Sequence, residues 1–160
     1  MIITASKAQN WRTPPRLFGR LHAERRYTVD AAASISNHLL PRYWTAAHDA
    51  KTRSLEGERA FCNPPFSDIP AFLAWALERR DEGFVEFLLP ARVWEPWFHE
   101  YAVHGDKTIL RRRTAYVAPP RVKQSSPSFG SILVRFGPGV TPSGYGFSEC
   151  RDGVTGDVLP

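Results

Sequence analysis

Asn63-Pro64-Pro65-Phe66 stands where a short apolar run, Arg59-Ala60-Phe61-Cys62, stops and an amphipathic run begins, which puts it in the mouth of an α/β site. Consecutive prolines neither continue a sheet ladder nor sit inside a helix, so they fix an extended turn whose freed carbonyls and side chains point into a cleft. The flanking residues equip that turn for a flat ring bearing an exocyclic amine. The Asn63 side-chain oxygen and the Pro64 carbonyl are acceptors for the two amine protons, and the Phe66 ring offers a face on which a heterocycle stacks. The chemistry such a set suggests is methylation of a base amine. The same residues also serve as plain turn punctuation, since proline pairs and Asn are common where a strand ends. The surrounding elements have to decide between the two.

Thr13-Pro14-Pro15 opens a helical stretch from Arg16 to Arg25 with Leu17, Phe18 and Leu21 on one face. Tyr27-Thr28-Val29 reads as a short strand ending at Asp30, and the small residues Ala31, Ala32, Ala33 and Ser34 that follow let the backbone approach a ligand. Arg42-Tyr43-Trp44-Thr45 is a further strand candidate, and Ala47 to Glu58 a polar connection. Behind the double-proline turn, Ile69 to Arg80 carries Phe72, Leu73, Ala76 and Leu77 at helical spacing. Gly83 introduces a buried strand, Phe84 to Leu89, stopped by Pro90; Val93 to Val103 is an aromatic-rich helix. Trp75, Trp94 and Trp97 have the spacing of core and helix-packing residues rather than of a base-stacking platform. This alternation predicts a mostly parallel sheet.

Thr108 to Val117 and Ser131 to Phe136 are two more strand candidates, joined by a mobile, basic loop over 118–128. From Gly137 the chain is rich in glycine, proline and polar residues and is expected to be extended or flexible. The predicted organisation is one domain over 1–136 with a tail over 137–160. Three loops then fall at or beside strand carboxyl ends, where an open α/β sheet holds its ligand: Thr13 to Pro15, Asp30 to Ala33, and Asn63 to Phe66.

A chain of 160 residues makes one domain with a real core, and its formal charge of +5 draws it toward a polyanion. Arg111, Arg112, Arg113, Arg121 and Lys123 are the candidate phosphate contacts, with a solvated basic face as the alternative. Two cysteines, Cys62 and Cys150, make no disulfide framework, which fits a reducing cytoplasm. Met1 to Asn10 lacks the apolar core of a signal peptide, and no apolar run reaches about 20 residues, so neither export by that route nor a membrane span is expected. His22, His38, His48, His99 and His104 are scattered, without metal-ligand spacing, and no metal is expected. The zinc deaminase pattern, a Gly-x-Ser-x-Gly elbow and a phosphate-cradling Gly-rich loop with Lys are all missing from the sequence.

Taken in order, Trp11-Arg12-Thr13-Pro14-Pro15, Val29-Asp30-Ala31-Ala32-Ala33, Phe61-Cys62-Asn63-Pro64-Pro65-Phe66, the strand closing Leu88-Leu89-Pro90-Ala91, and Trp97-Phe98 resemble the phage-type Dam family of DNA N6-adenine methyltransferases, over about residues 11–136. The resemblance implies a compact class I, Rossmann-like methyltransferase fold with helices on both faces of the sheet, using S-adenosylmethionine. It implies a cofactor site at Trp11, Thr13, Pro14, Asp30, Ala31, Ala32 and Asp49, and a catalytic turn at Asn63, Pro64, Pro65 and Phe66. It implies duplex DNA as partner, with the adenine flipped out, in the cytoplasm of a bacterial or phage-infected cell, where methylation either guards DNA from restriction or alters regulation. Alanines and Ser34 replace the usual Gly-x-Gly of the cofactor loop. Two other readings stay open on the residues alone. One is the same fold acting on a cytosine N4, an RNA base or a protein glutamine; the other is a non-catalytic DNA-binding relative.

Overall fold

Proline at the first helical position pre-sets φ for α1, Pro15–Arg25, which buries Leu17, Phe18 and Leu21 and ends in Arg26 at φ 53°. The computed structural model describes residues 11–119, 121, 123–124 and 129–160. Beyond α1 the described elements are β1 (Val29–Asp30), β2 (Arg59–Cys62), α2 (Ile69–Glu78), β3 (Phe84–Pro90), α3 (Pro96–Glu100), β4 (Asp106–Arg111), β5 (Ser131–Phe136) and β6 (Glu149–Asp152). The strands form one sheet in the order β1-β2-β3-β5-β4-β6.

β1/β2, β2/β3 and β4/β6 pair in parallel, whereas β5 runs antiparallel to both its neighbours, β3 and β4. All strands but β5 therefore point the same way, and their carboxyl ends share one end of the sheet. Register fixes what each face carries, because side chains alternate along a strand. Phe61, Glu86, Arg135 and Asp106 are mutual cross-strand partners and so share a face. α1 covers that face: Phe18 meets Phe61 edge-on with ring centroids 5.1 Å apart, and Tyr27, just beyond α1, donates its hydroxyl proton to Glu86 Oε2. The opposite face carries Phe87 and Lys107. Lys107 Nζ lies 5.9 Å from the Phe98 ring centroid of α3 and donates to the Gly144 carbonyl at 2.5 Å. α2 packs beside α3. Helices thus cover both faces of a mixed, predominantly parallel sheet.

Several predicted elements come out differently. The helix expected over Val93 to Val103 is a five-residue helix, Pro96–Glu100, followed by a 3-10 turn at Ala102–His104. Pro96 at its first turn starts it late, and Arg92 to Glu95 form a turn instead. Trp75 and Trp97 are buried as expected, but Trp94 is 71% exposed. Tyr43 makes only an isolated bridge to Asp30, and the strand expected up to Val117 stops at Arg111. The tail expected to be extended supplies β6, whose Arg151 is 2% exposed and donates to Glu24 of α1 at 2.7 Å. In the expected basic loop, residues 120, 122 and 125–128 lie outside the described residues, as does the N-terminal segment 1–10.

Candidate active site

β2 delivers Asn63 at its carboxyl end, and the N-terminal segment holds the side chain there. Arg12 and Val117 exchange two backbone hydrogen bonds, at 2.9 and 3.0 Å, which tie residues 11–13 to the segment that follows β4. Asn63 Nδ2 then donates to the Trp11 carbonyl at 2.7 Å and to Thr13 Oγ1 at 3.1 Å. A main-chain carbonyl only accepts, so the atom facing Trp11 has to be the amide nitrogen. That fixes Oδ1 as the remaining acceptor, buried and with no hydrogen-bond partner among the described residues. A buried acceptor left open costs about 1–3 kcal/mol, the kind of expense that a ligand donor removes.

Asn63 lines a cavity of about 600 Å³, in the size range of small-molecule sites. The cavity brings together six of the seven predicted cofactor residues: Trp11, Thr13, Asp30, Ala31, Ala32 and Asp49. Pro14 is buried at the start of α1 and does not line it. Of the double-proline turn, Asn63 and Pro65 face the cavity, whereas Pro64 and Phe66 are buried outside its lining. Phe66 is 8% exposed; Phe129 packs edge-on to its ring at 5.4 Å and the Arg92 guanidinium lies over it at 5.8 Å. The ring predicted to stack on a base is covered here by two other side chains.

The small-residue loop contributes differently from expectation. Ala31 N–H donates to the Phe61 carbonyl at 2.8 Å and Ala33 N–H to the Trp44 carbonyl at 2.9 Å. These amides are engaged within the fold, so what the alanines give the cavity is lack of bulk. Asp30 closes the loop: Oδ2 accepts from Leu39 N–H at 3.0 Å and Oδ1 from Ala32 N–H at 3.4 Å. Burial pushes its carboxyl above the ordinary value, and the two amides only partly oppose that.

The sequence reading missed Lys51 and Asp68, which line the same cavity. Lys51 Nζ donates to Asp68 Oδ2 at 2.9 Å, lies 3.1 Å from Asp49 Oδ1 and sits 4.5 Å from the Phe72 ring centroid. Burial works against this ammonium, yet Asp68 and Asp49 outweigh it and raise its pKa. The only sequence signal was Asp68 itself, two residues beyond Phe66; nothing local marks Lys51.

Arg111, Arg112 and Arg113 are exposed at the carboxyl end of β4, the end of the sheet that carries the cavity. Arg112, at φ 67°, is engaged by Asp152, with Nη2 2.6 Å from Oδ2, which leaves Arg111 and Arg113 as the more available cations. Arg121 and Lys123 are exposed as well. Among the described residues no helix is long and apolar enough to cross a membrane.

An unsatisfied amide acceptor at the end of a strand, beside a ligand-sized cavity, is an arrangement compatible with a methyltransferase that acts on an amine. The family model for DNA N-6-adenine-methyltransferase (Dam) matches residues 3–142, and the chain belongs to that family. It is a DNA N6-adenine methyltransferase. No curated protein matches the chain.

Proposed function

We propose that this enzyme takes its methyl group from S-adenosylmethionine, held in the 600 Å³ cavity, and delivers it to an adenine flipped out of duplex DNA. The observation that carries the reading is the open Oδ1 of Asn63. The size of the cavity, its alanine wall and the acid Asp49 in its lining support this reading, with Asp49 as the acceptor for ribose hydroxyls. The common direction of five strands, with the site at their carboxyl ends, supports a class I scaffold, and the motif order supports the phage or prophage type.

When bound, the donor supplies a methyl group activated by its sulfonium. The chain's own residues prepare the acceptor. An adenine amine nitrogen is a poor nucleophile because its lone pair is delocalised into the ring. Asn63 Oδ1 accepts from one N6 proton and the Pro64 carbonyl from the other, drawing the nitrogen toward tetrahedral geometry and aiming its lone pair at the methyl carbon. Trp11 and Thr13 keep the Asn63 amide from rotating, so the acceptor is organised before the base arrives; such preorganisation and orientation are large catalytic terms. Phe66 stacks on the base once Arg92 and Phe129 give way. Arg111, Arg113, Arg121 and Lys123 contact phosphates.

Purified protein incubated with duplex DNA and methyl-labelled S-adenosylmethionine tests the reading. N6-methyladenine carrying the label is the expected product after digestion to nucleosides. Tight binding of the DNA with no labelled nucleoside would overturn it.

A further inference from the structure

Trp94 is 71% exposed, while Trp11, Trp44, Trp75 and Trp97 are each 6% exposed or less. It sits at a corner of the turn Arg92–Glu95, closed by Glu95 N–H donating to the Arg92 carbonyl at 3.1 Å; the other corner, Val93, is 41% exposed. A single exposed large hydrophobic side chain is ordinary on a protein surface, as Ile35 and Tyr145 here show, so it is the position of Trp94, beside exposed Val93, that points to a partner. Its place in the fold says which. β2 ends at Cys62, paired with Phe87, and β3 continues three residues further to Pro90, so the turn stands above the end of β2, where Asn63 begins. Arg92, two residues before Trp94, reaches back over the Phe66 ring at 5.8 Å. Exposed Arg111 and Arg113 lie on this same end of the sheet, which gives the rim the charge to meet phosphates. The single acid in the turn, Glu95, is half-buried at the start of α3.

We propose that Trp94 is a wedge: its indole enters the base stack of the duplex at the place the target adenine vacates. The proposal rests on the reading that the adenine is flipped. Extruding a base leaves a gap whose neighbours have lost a stacking partner, and an inserted apolar side chain restores that contact and holds the nucleotide out. A single strand has no such gap to fill. The wedge therefore speeds methylation of duplex far more than of single strands.

The test compares the full-length wild type with Trp94→Ala and Trp94→Phe on duplex plasmid and on mixed-sequence single-stranded oligonucleotides, with N6-methyladenine counted by mass spectrometry. Stacking of one aromatic on a base predicts that Trp94→Ala lowers kcat/KM on duplex about tenfold more than on single strands, and that Trp94→Phe recovers most of the difference. In parallel, acrylamide quenching of tryptophan emission falls when duplex binds the wild type, and barely changes when it binds Trp94→Ala. An equal loss on both substrates, or none on duplex, overturns the wedge and leaves methyl transfer standing. A wild type that makes no N6-methyladenine on either substrate removes the catalytic reading, and the wedge with it.

Discussion

Replacing Asn63 by alanine separates catalysis from binding, because one side chain both presents the acceptor and ties it down. The structural cost is two hydrogen bonds from Nδ2, to Trp11 O and Thr13 Oγ1. At about 1 kcal/mol each they sum to about 2 kcal/mol, which lowers the unfolding midpoint by roughly 4–8 °C in a chain of this size. The variant stays folded. The catalytic cost is larger: loss of one preorganised polar group at a reacting centre lowers kcat by about 10²–10³, or roughly 2.7–4 kcal/mol. Thr13→Val keeps the Trp11 anchor and removes only the weaker restraint, so it lowers kcat by about tenfold, on the order of a single hydrogen bond. The assay is steady-state formation of N6-methyladenine on plasmid, with S-adenosylmethionine titrated calorimetrically into each variant. The expected pattern is donor affinity within threefold of wild type in Asn63→Ala, and kcat falling from wild type through Thr13→Val to Asn63→Ala. Asn63→Ala turning over within tenfold of wild type would refute the role assigned to the open acceptor.

Three further outcomes follow from the geometry. Glu86 is wholly buried, accepts from Tyr27 and pairs with Arg135 at 3.2 Å, so Glu86→Ala leaves a buried guanidinium with Asp106 as its main partner. It destabilises by about 3 kcal/mol in chemical denaturation, and a shift under 1 kcal/mol would contradict the network. Asp152 is held at about 2, from an ordinary 3.8, chiefly by the Thr155 amide and then by Val154 and Arg112. A depressed folded value means stabilisation that is complete above the ordinary value and lost as pH falls from about 4 toward 2. The melting temperature of wild type over Asp152→Asn therefore converges across that interval. Replacing Arg111 and Arg113 together by glutamine reduces the slope of log binding constant against log salt by up to about 1.8, whereas Arg112→Gln, already paired to Asp152, changes it less; equal slopes in all proteins would return these arginines to solvent.

Strong local signals carried the frame. The apolar stripe of Leu17, Phe18 and Leu21, the run ending at Cys62 and the buried stretch after Gly83 became α1, β2 and β3 at nearly their predicted limits. An added Cβ at Gly83 would lie 1.9 Å from the Leu55 carbonyl, which is why a glycine starts that strand. The turn after β2 was legible because two consecutive prolines fit neither the strand before them nor the helix after them. The Lys51–Asp68 pair was not, since it joins residues 17 apart that meet only when α2 is docked. Nor was the cover over Phe66, because Arg92 and Phe129 come from distant loops. Trp94 misled because Trp94 and Trp97, three residues apart, look like one packing stripe until Pro96 sets the true start of α3. β6 escaped because Glu149-Cys150-Arg151-Asp152 has no apolar alternation; an ion pair to α1, rather than a hydrophobic face, holds it.

That last strand bears on how the molecule behaves in a crowd of its own copies. An unpaired sheet edge invites another chain to add itself as a strand. β6 covers β4, and the chain then folds back so that Leu159 N–H donates to the Cys150 carbonyl and Asp152 N–H to the Asp157 carbonyl, both at 2.9 Å. The outermost ladder is thus short, studded with charges and already satisfied by the chain's own final residues. A second copy that meets this edge finds few free main-chain groups to pair with, so strand addition there is disfavoured.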